Sequence, residues 1–255
     1  MARPRDHLTN APLREALIDL QFDPLASIDD IDRFVLTLGE TVEKKGDIWE
    51  AYFGMVEPAQ GRPFAAQSIH NVLGRRLDLK QGSAAYVLQC RINGFSLSRL
   101  SPYGSWAELR ADAQSLWNRF ITFAPTRTIN RMAVRYINEL RLPLPFQDFK
   151  EFLESPPIIP TGLPQLLSGF LTRTTIPDME QNWVTIVTQA LEVAPAHDSQ
   201  GTSTVNVILD IDVFRQNCVE LAASETIWSA LDALREQKNR VFFAYVTEKT
   251  VEMYA

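Results

Sequence analysis

The chain has 255 residues, 45% of them hydrophobic and 22% charged, with a formal net charge of −6 and a pI near 5.2. That length buries a substantial core. The acidic balance, with no cluster of Lys and Arg denser than Arg75-Arg76 followed by Lys80, argues against nucleic acid as a partner, because phosphate contacts need clustered cations.

The N-terminus, MARPRDHLTN, lacks the apolar core of a signal peptide. No apolar run reaches the roughly 18 residues of a membrane span, so a cytoplasmic protein without a membrane partner is expected. Cys90 and Cys218 stand far apart in apolar surroundings and read as buried thiols.

Residues 10–22 (NAPLREALIDLQF) begin with a turn and continue as a strand that places Ala16, Ile18, Leu20 and Phe22 on one face. Residues 27–44 predict a helix, opened by Ser27 and Asp30 as a capping box and striped by Ile28, Ile31, Phe34, Val35, Leu38 and Val42. A strand is expected at 47–57 and a loop at 58–68. Strands follow at 72–80, 84–92 and 94–100, the last two joined by the hairpin pair Asn93-Gly94. Strand 94–100 is expected to be an exposed edge, able to pair with a copy of itself. Ser105 and Glu108 cap a second helix at 105–123, which Pro125 keeps from continuing.

Six prolines mark residues 141–168 as a connector, with short helical pieces at 147–154 and 162–169. Strands are then predicted at 169–177, 182–193 and 203–214, a helix at 224–238 with Ser224 as its N-cap, and a last strand at 240–247. The order strand, strand, strand, helix, strand thus occurs twice. An α+β fold of two similar βββαβ halves is expected, each with a mainly antiparallel sheet covered by a long helix. The boundaries are 1–140, 141–168 for the connector and 169–255.

In RMAVRYINEL (131–140), Arg131 and Arg135 share a face with Ala133, Ile137 and Glu139, while Met132, Val134, Tyr136 and Leu140 take the other. In VNVILDIDVF (205–214), Asp210 and Asp212 stand about 6–7 Å apart on one face. No third acidic residue offers metal-ligand spacing, and no partner for acid–base catalysis is recognisable. Like charges two apart on a strand need cations nearby. Arg131 and Arg135 supply them if the two strands meet, and bidentate pairs would then join the halves. The competing reading has Arg131 and Arg135 gripping a phosphate or carboxylate.

His7, His70 and His197 read as solvated, and none neighbours a cysteine or another histidine. Neither phosphate-binding glycine motif is present, nor G-x-S-x-G. No cofactor is expected. The aromatic residues read as core, with the alternative that some line a concave sheet surface holding a ligand.

Three stretches are familiar in combination: Asn10-x-Pro12-Leu13-x-Glu15-Ala16, Arg131-x-x-x-Arg135-Tyr136-x-Asn138 and Asp210-x-Asp212-x-Phe214. In this order the chain resembles an uncharacterised, sporadically distributed family of bacterial and archaeal proteins. The resemblance implies a prokaryotic protein with an accessory or defence-associated role and no catalytic assignment. Arg131, Arg135, Tyr136, Asn138, Asp210 and Asp212 are therefore the candidates for a ligand site or for an inter-half contact. The expected function is non-enzymatic binding or regulation through a protein partner, with a homodimer as one form. The alternative is a small anionic-ligand binder, or a hydrolase, with Arg131, Arg135, Asp210 and Asp212 lining one pocket.

Overall fold

A computed structural model describes residues 8–55, 66–126, 128–192, 196–197 and 203–255. Strand β1 (Leu13–Phe22) leads into helix α1 (Asp29–Leu38) and a 3-10 turn at Gly39–Thr41. Strands β2 (Val42–Met55), β3 (Ala66–Gln81), β4 (Ala84–Arg91) and β5 (Gly94–Leu100) follow, then helix α2 (Trp106–Phe123) and strand β6 (Thr128–Pro143). After a 3-10 turn at Phe149–Glu151 come β7 (Leu171–Asp178), β8 (Trp183–Leu191), the short β9 (Ala196–His197) and β10 (Ser203–Leu221). Helices α3 (Thr226–Tyr245) and α4 (Glu248–Met253) complete the described chain.

All the strands lie in one antiparallel sheet of order β2-β3-β4-β5-β1-β6-β10-β8-β7, with β9 paired to β10. This corrects the expectation of two βββαβ halves, each with its own sheet and covering helix. β6 and β10 pair from Thr204↔Pro143 to Gln216↔Arg131, so the sheet runs unbroken across the supposed join. The expected last strand at 240–247 is also absent, because α3 continues through it to Tyr245. Leu231, Leu234, Lys238 and Phe242 keep helical spacing and are all buried, and packing of that face overrides the strand preference of Val241-Phe242-Phe243. Val246 then forms an isolated bridge to Leu153.

Smaller expectations shift too. β5 pairs with both β4 and β1 and is no edge; among the described strands the sheet ends at β2 and β7. Ser27 does not form a capping box. Its hydroxyl accepts the Asp29 N–H at 3.1 Å, and the helix starts at Asp29 with no side-chain cap. The capping box of Ser105 and Glu108 is present in full at α2. Ser224 lies one turn-residue outside α3, where its hydroxyl accepts the Thr226 N–H at 3.2 Å. Of the two helical pieces expected in the connector, 147–154 holds only the 3-10 turn and 162–169 is not helical.

The sheet has one dry face and one wet face, as period-two alternation requires. Ala16, Ile18, Leu20, Phe95, Leu97, Val134, Val207, Leu209 and Ile211 are fully buried on the dry face. α2 lays Trp117 and Phe120 against Phe22 and Phe95, with ring centroids 5.4–6.0 Å apart. Trp117 also donates its indole N–H to the Ala222 carbonyl at 2.8 Å, so its one polar atom is satisfied. α2 and α3 are tied by Asp232, which accepts from Trp106 Nε1 at 2.7 Å and pairs with Arg110 Nε at 3.1 Å. No helix among the described residues is long and apolar enough to cross a membrane.

Candidate functional site

β6 presents a different chemistry on each face. On the wet face Arg135 makes a bidentate pair with Asp210, Nε to Oδ1 at 2.8 Å and Nη2 to Oδ2 at 2.6 Å. Arg131 spans two strands: Nη1 donates to Asp19 Oδ2 at 2.8 Å and Nη2 to Asp212 Oδ2 at 3.3 Å. Its guanidinium also lies 4.5 Å from the ring centre of Phe214. Arg91 closes the chain by donating to Asp19 Oδ1 at 2.7 Å. The adjacency of β6 and β10 brings the arginines and aspartates together; Asp19 and Arg91 join them from β1 and β4.

Asp19, Arg91, Arg131, Arg135 and Asp212, with Glu15, line a shallow depression of about 540 Å³, and Asp210 lies just outside it. Three guanidiniums there face three carboxylates, so an arriving anion finds its charge already answered. Burial pushes the Asp212 carboxyl up from its ordinary value, against the pull of Arg131 and Arg135. Its Oδ1 is buried without a hydrogen-bond partner. No cluster of His, Cys, Asp and Glu suited to a metal occurs among the described residues. The arginine–aspartate cluster therefore reads as strand-to-strand bracing across the wet face.

The dry face of the same strand differs. Tyr136 and Asn138 line a cavity of about 550 Å³, under the end of α3 and beside the segment that leads into β1. Three backbone and side-chain contacts fix its walls. Asn10 N–H reaches the Tyr254 carbonyl at 3.1 Å, and Glu139 N–H the Pro12 carbonyl at 2.7 Å. Asn138 donates Nδ2 to the Leu209 carbonyl at 2.9 Å. α3 contributes Arg235, Lys238, Asn239 and Phe242, whose spacing of three, four and seven puts them on one helical face.

Lys238 is the unusual group. It is only 8% exposed, and its Nζ sits 3.7 Å from the ring centre of Tyr136. Among the described residues no carboxylate lines the cavity, and Lys238 has no ion-pair or hydrogen-bond partner. Burial, with the Arg235 charge adding to it, brings the Lys238 ammonium down to about 7, while Glu236 pulls weakly the other way. The Tyr136 hydroxyl meets that of Tyr103 at 2.9 Å. Burial pushes both phenols above their ordinary value, Tyr136 the more strongly. Both stay neutral hydrogen-bonding groups at physiological pH.

Of the six candidates, Tyr136 and Asn138 thus line the cavity, while Arg131, Arg135, Asp210 and Asp212 brace the opposite face. Asn10, Pro12 and Leu13 of the first familiar stretch also line the cavity. Sequence reasoning missed Lys238, Arg235 and Tyr103. The available signal was a lysine in the middle of an apolar helical stripe, hidden because that segment read as helix end and strand. His70 and His197 fall in β3 and β9; His7 lies outside the described residues. Comparison with protein-family models, curated proteins and solved structures returns no match.

Proposed function

We propose that the protein binds a small organic anion in the cavity between β6 and α3. The observation that carries this reading is Lys238, a buried cation with no carboxylate among the described residues to answer it, placed beside Arg235 in a cavity of about 550 Å³. That volume is in the range of small-molecule sites, which join an apolar lining to a few convergent polar groups. Trp106, Phe242 and Phe243 supply the apolar wall, and Tyr103, Tyr136 and Asn138 the polar points. A buried ammonium without a counter-ion costs folding free energy; an anionic ligand would recover that cost. The anion reading weighed for Arg131 and Arg135 thus moves to the other face of the strand.

The test is isothermal titration against a panel of small carboxylates and phosphates, for the protein and for Lys238→Met. Saturable binding of at least one anion is expected, weakened tenfold or more in the variant. Equal affinity in the two proteins, or no binding across the panel, would sink the proposal.

A second reading keeps the partner role and rests on the β7 edge. Among the described residues β7 pairs only with β8, and Leu166, Leu171 and Met179 around it are 88%, 73% and 88% exposed. An open strand beside exposed apolar side chains suits pairing with a second copy of the chain. Sedimentation should then show a dimer that Leu171→Lys with Leu166→Lys converts to monomer; a monomer at every concentration removes this reading. Cytoplasmic location and an accessory prokaryotic role are part of the proposal; the buried Cys90 thiol suits a reducing compartment, and the motif resemblance supports the role.

A further inference from the structure

The surroundings of Lys238 carry more than charge attraction. Resting on the anion-binding reading, we infer that Lys238 is a nucleophile that captures the carbonyl group of an oxo-acid as an imine.

Three features of geometry support the step. First, Nζ faces an aromatic ring at 3.7 Å, and among the described residues no ion pair holds it in the ammonium form. Second, Arg235 lines the same cavity one helical turn away. A desolvated lysine beside another cation is the arrangement that yields a neutral, reactive amine near neutral pH. Third, Arg235 also serves the ligand: its Nη1 is paired with the exposed Glu236, which leaves Nε and Nη2 to hold a carboxylate in a planar fork while the carbonyl carbon meets Nζ. The fraction of neutral amine at pH 7 follows from burial and from Arg235.

The chemistry balances with the groups present. The Nζ lone pair adds to the carbonyl carbon, and the C=O π electrons move to oxygen. A proton passes from nitrogen to that oxygen, giving a carbinolamine. Loss of the oxygen as water then forms the C=N bond. Nothing is oxidised or reduced, and no further reactant is needed. The hydroxyls of Tyr103 and Tyr136, hydrogen-bonded to each other at 2.9 Å in the same cavity, are groups that can donate to the departing oxygen.

Glyoxylate and pyruvate are the probes, with lactate as the control that lacks a carbonyl. Each is incubated with the full chain at pH 7 and treated with cyanoborohydride, which fixes an imine as a stable secondary amine. Peptide mass spectrometry then locates the adduct among the six lysines. Labelling of Lys238 at least tenfold above the exposed lysines is expected, with none from lactate. Lys238→Arg keeps the charge and should still bind the acids while taking no label at that position. Melting temperature is followed in parallel. If the oxo-acids raise it but Lys238 stays unlabelled, the imine is overturned and anion binding stands. If they neither raise it nor label Lys238, and titration finds no binding of either acid or of any other anion in the panel, both readings fall.

Discussion

Lys238 holds its amine 3.7 Å above the centre of the Tyr136 ring, on the face of β6 opposite the arginines. A ring face attracts a cation through its quadrupole, but it supplies much less than the water the lysine lost. The pair is therefore a point of unrecovered desolvation in the wall of the cavity. Removing the lysine should stabilise the empty protein while weakening ligand capture.

That trade-off has a definite pH dependence. Lys238 in the unfolded chain titrates near 10.5 and in the folded protein near 7. Above 10.5 both states hold a neutral amine and the group adds nothing. As pH falls from 10.5 towards 7, the unfolded chain binds a proton that the folded protein does not, and folding loses stability. Below 7 the loss is constant. Lys238→Met should thus be more stable by on the order of 2 kcal/mol at pH 7, once the ring contact offsets part of the shift. The gap should narrow steadily up to pH 10 and vanish only above 10.5. Urea melts of both proteins at pH 6, 7, 8.5 and 10 measure it; a gap that does not change with pH contradicts this account.

Arg135→Ala tests the wet face. It breaks the bidentate pair with Asp210, whose side chain is 16% exposed while that of Arg135 is 43% exposed. Half-exposure of the arginine limits the loss to about 1–2 kcal/mol, less than for a fully buried pair. Denaturant unfolding should show that loss, and the double variant with Asp210→Ala should lose less than the two single losses together. Anion binding should be unaffected, because Arg135 stands on the other face from the cavity.

Gly74→Ala should damage the β3–β4 pairing. A Cβ at Gly74 would strike the Cys90 carbonyl oxygen and lie within 2.7 Å of Arg91 Cα. Backbone cannot swing aside as a side-chain tip can. A loss of about 2 kcal/mol or more is expected, with amide exchange accelerating first at Arg75–Lys80 and Ala85–Cys90. Unchanged stability would mean that the two strands have room to separate.

Much of the local order was legible in the residues. The facing of β6 and β10 followed from alternation alone, and β5 and α2 lie close to where hairpin and capping signals put them. The single sheet was hidden because strand order depends on which edges meet, and nothing local marks β1 as the strand that enters between β5 and β6. α3 was misread at its end because aromatic and β-branched residues suit either period over a short run. The cavity was half legible. Tyr136 and Asn138 stood out in a motif, whereas Lys238 becomes meaningful only when α3 covers β6.

The place of β1 bears on how the chain reaches this shape. Its partners are Gly94–Leu100 and Ile129–Asn138, so β1 is made well before either strand that encloses it. During synthesis the apolar side of Leu13–Phe22 must wait until more than a hundred further residues have emerged. Contacts so distant in sequence slow the search for the native pairing, and the waiting strand is a place where a neighbouring nascent chain can attach. We therefore expect refolding yield to fall with protein concentration, and to recover when residues 1–22 are supplied late, as a separate peptide completing a chain that starts at Asp23.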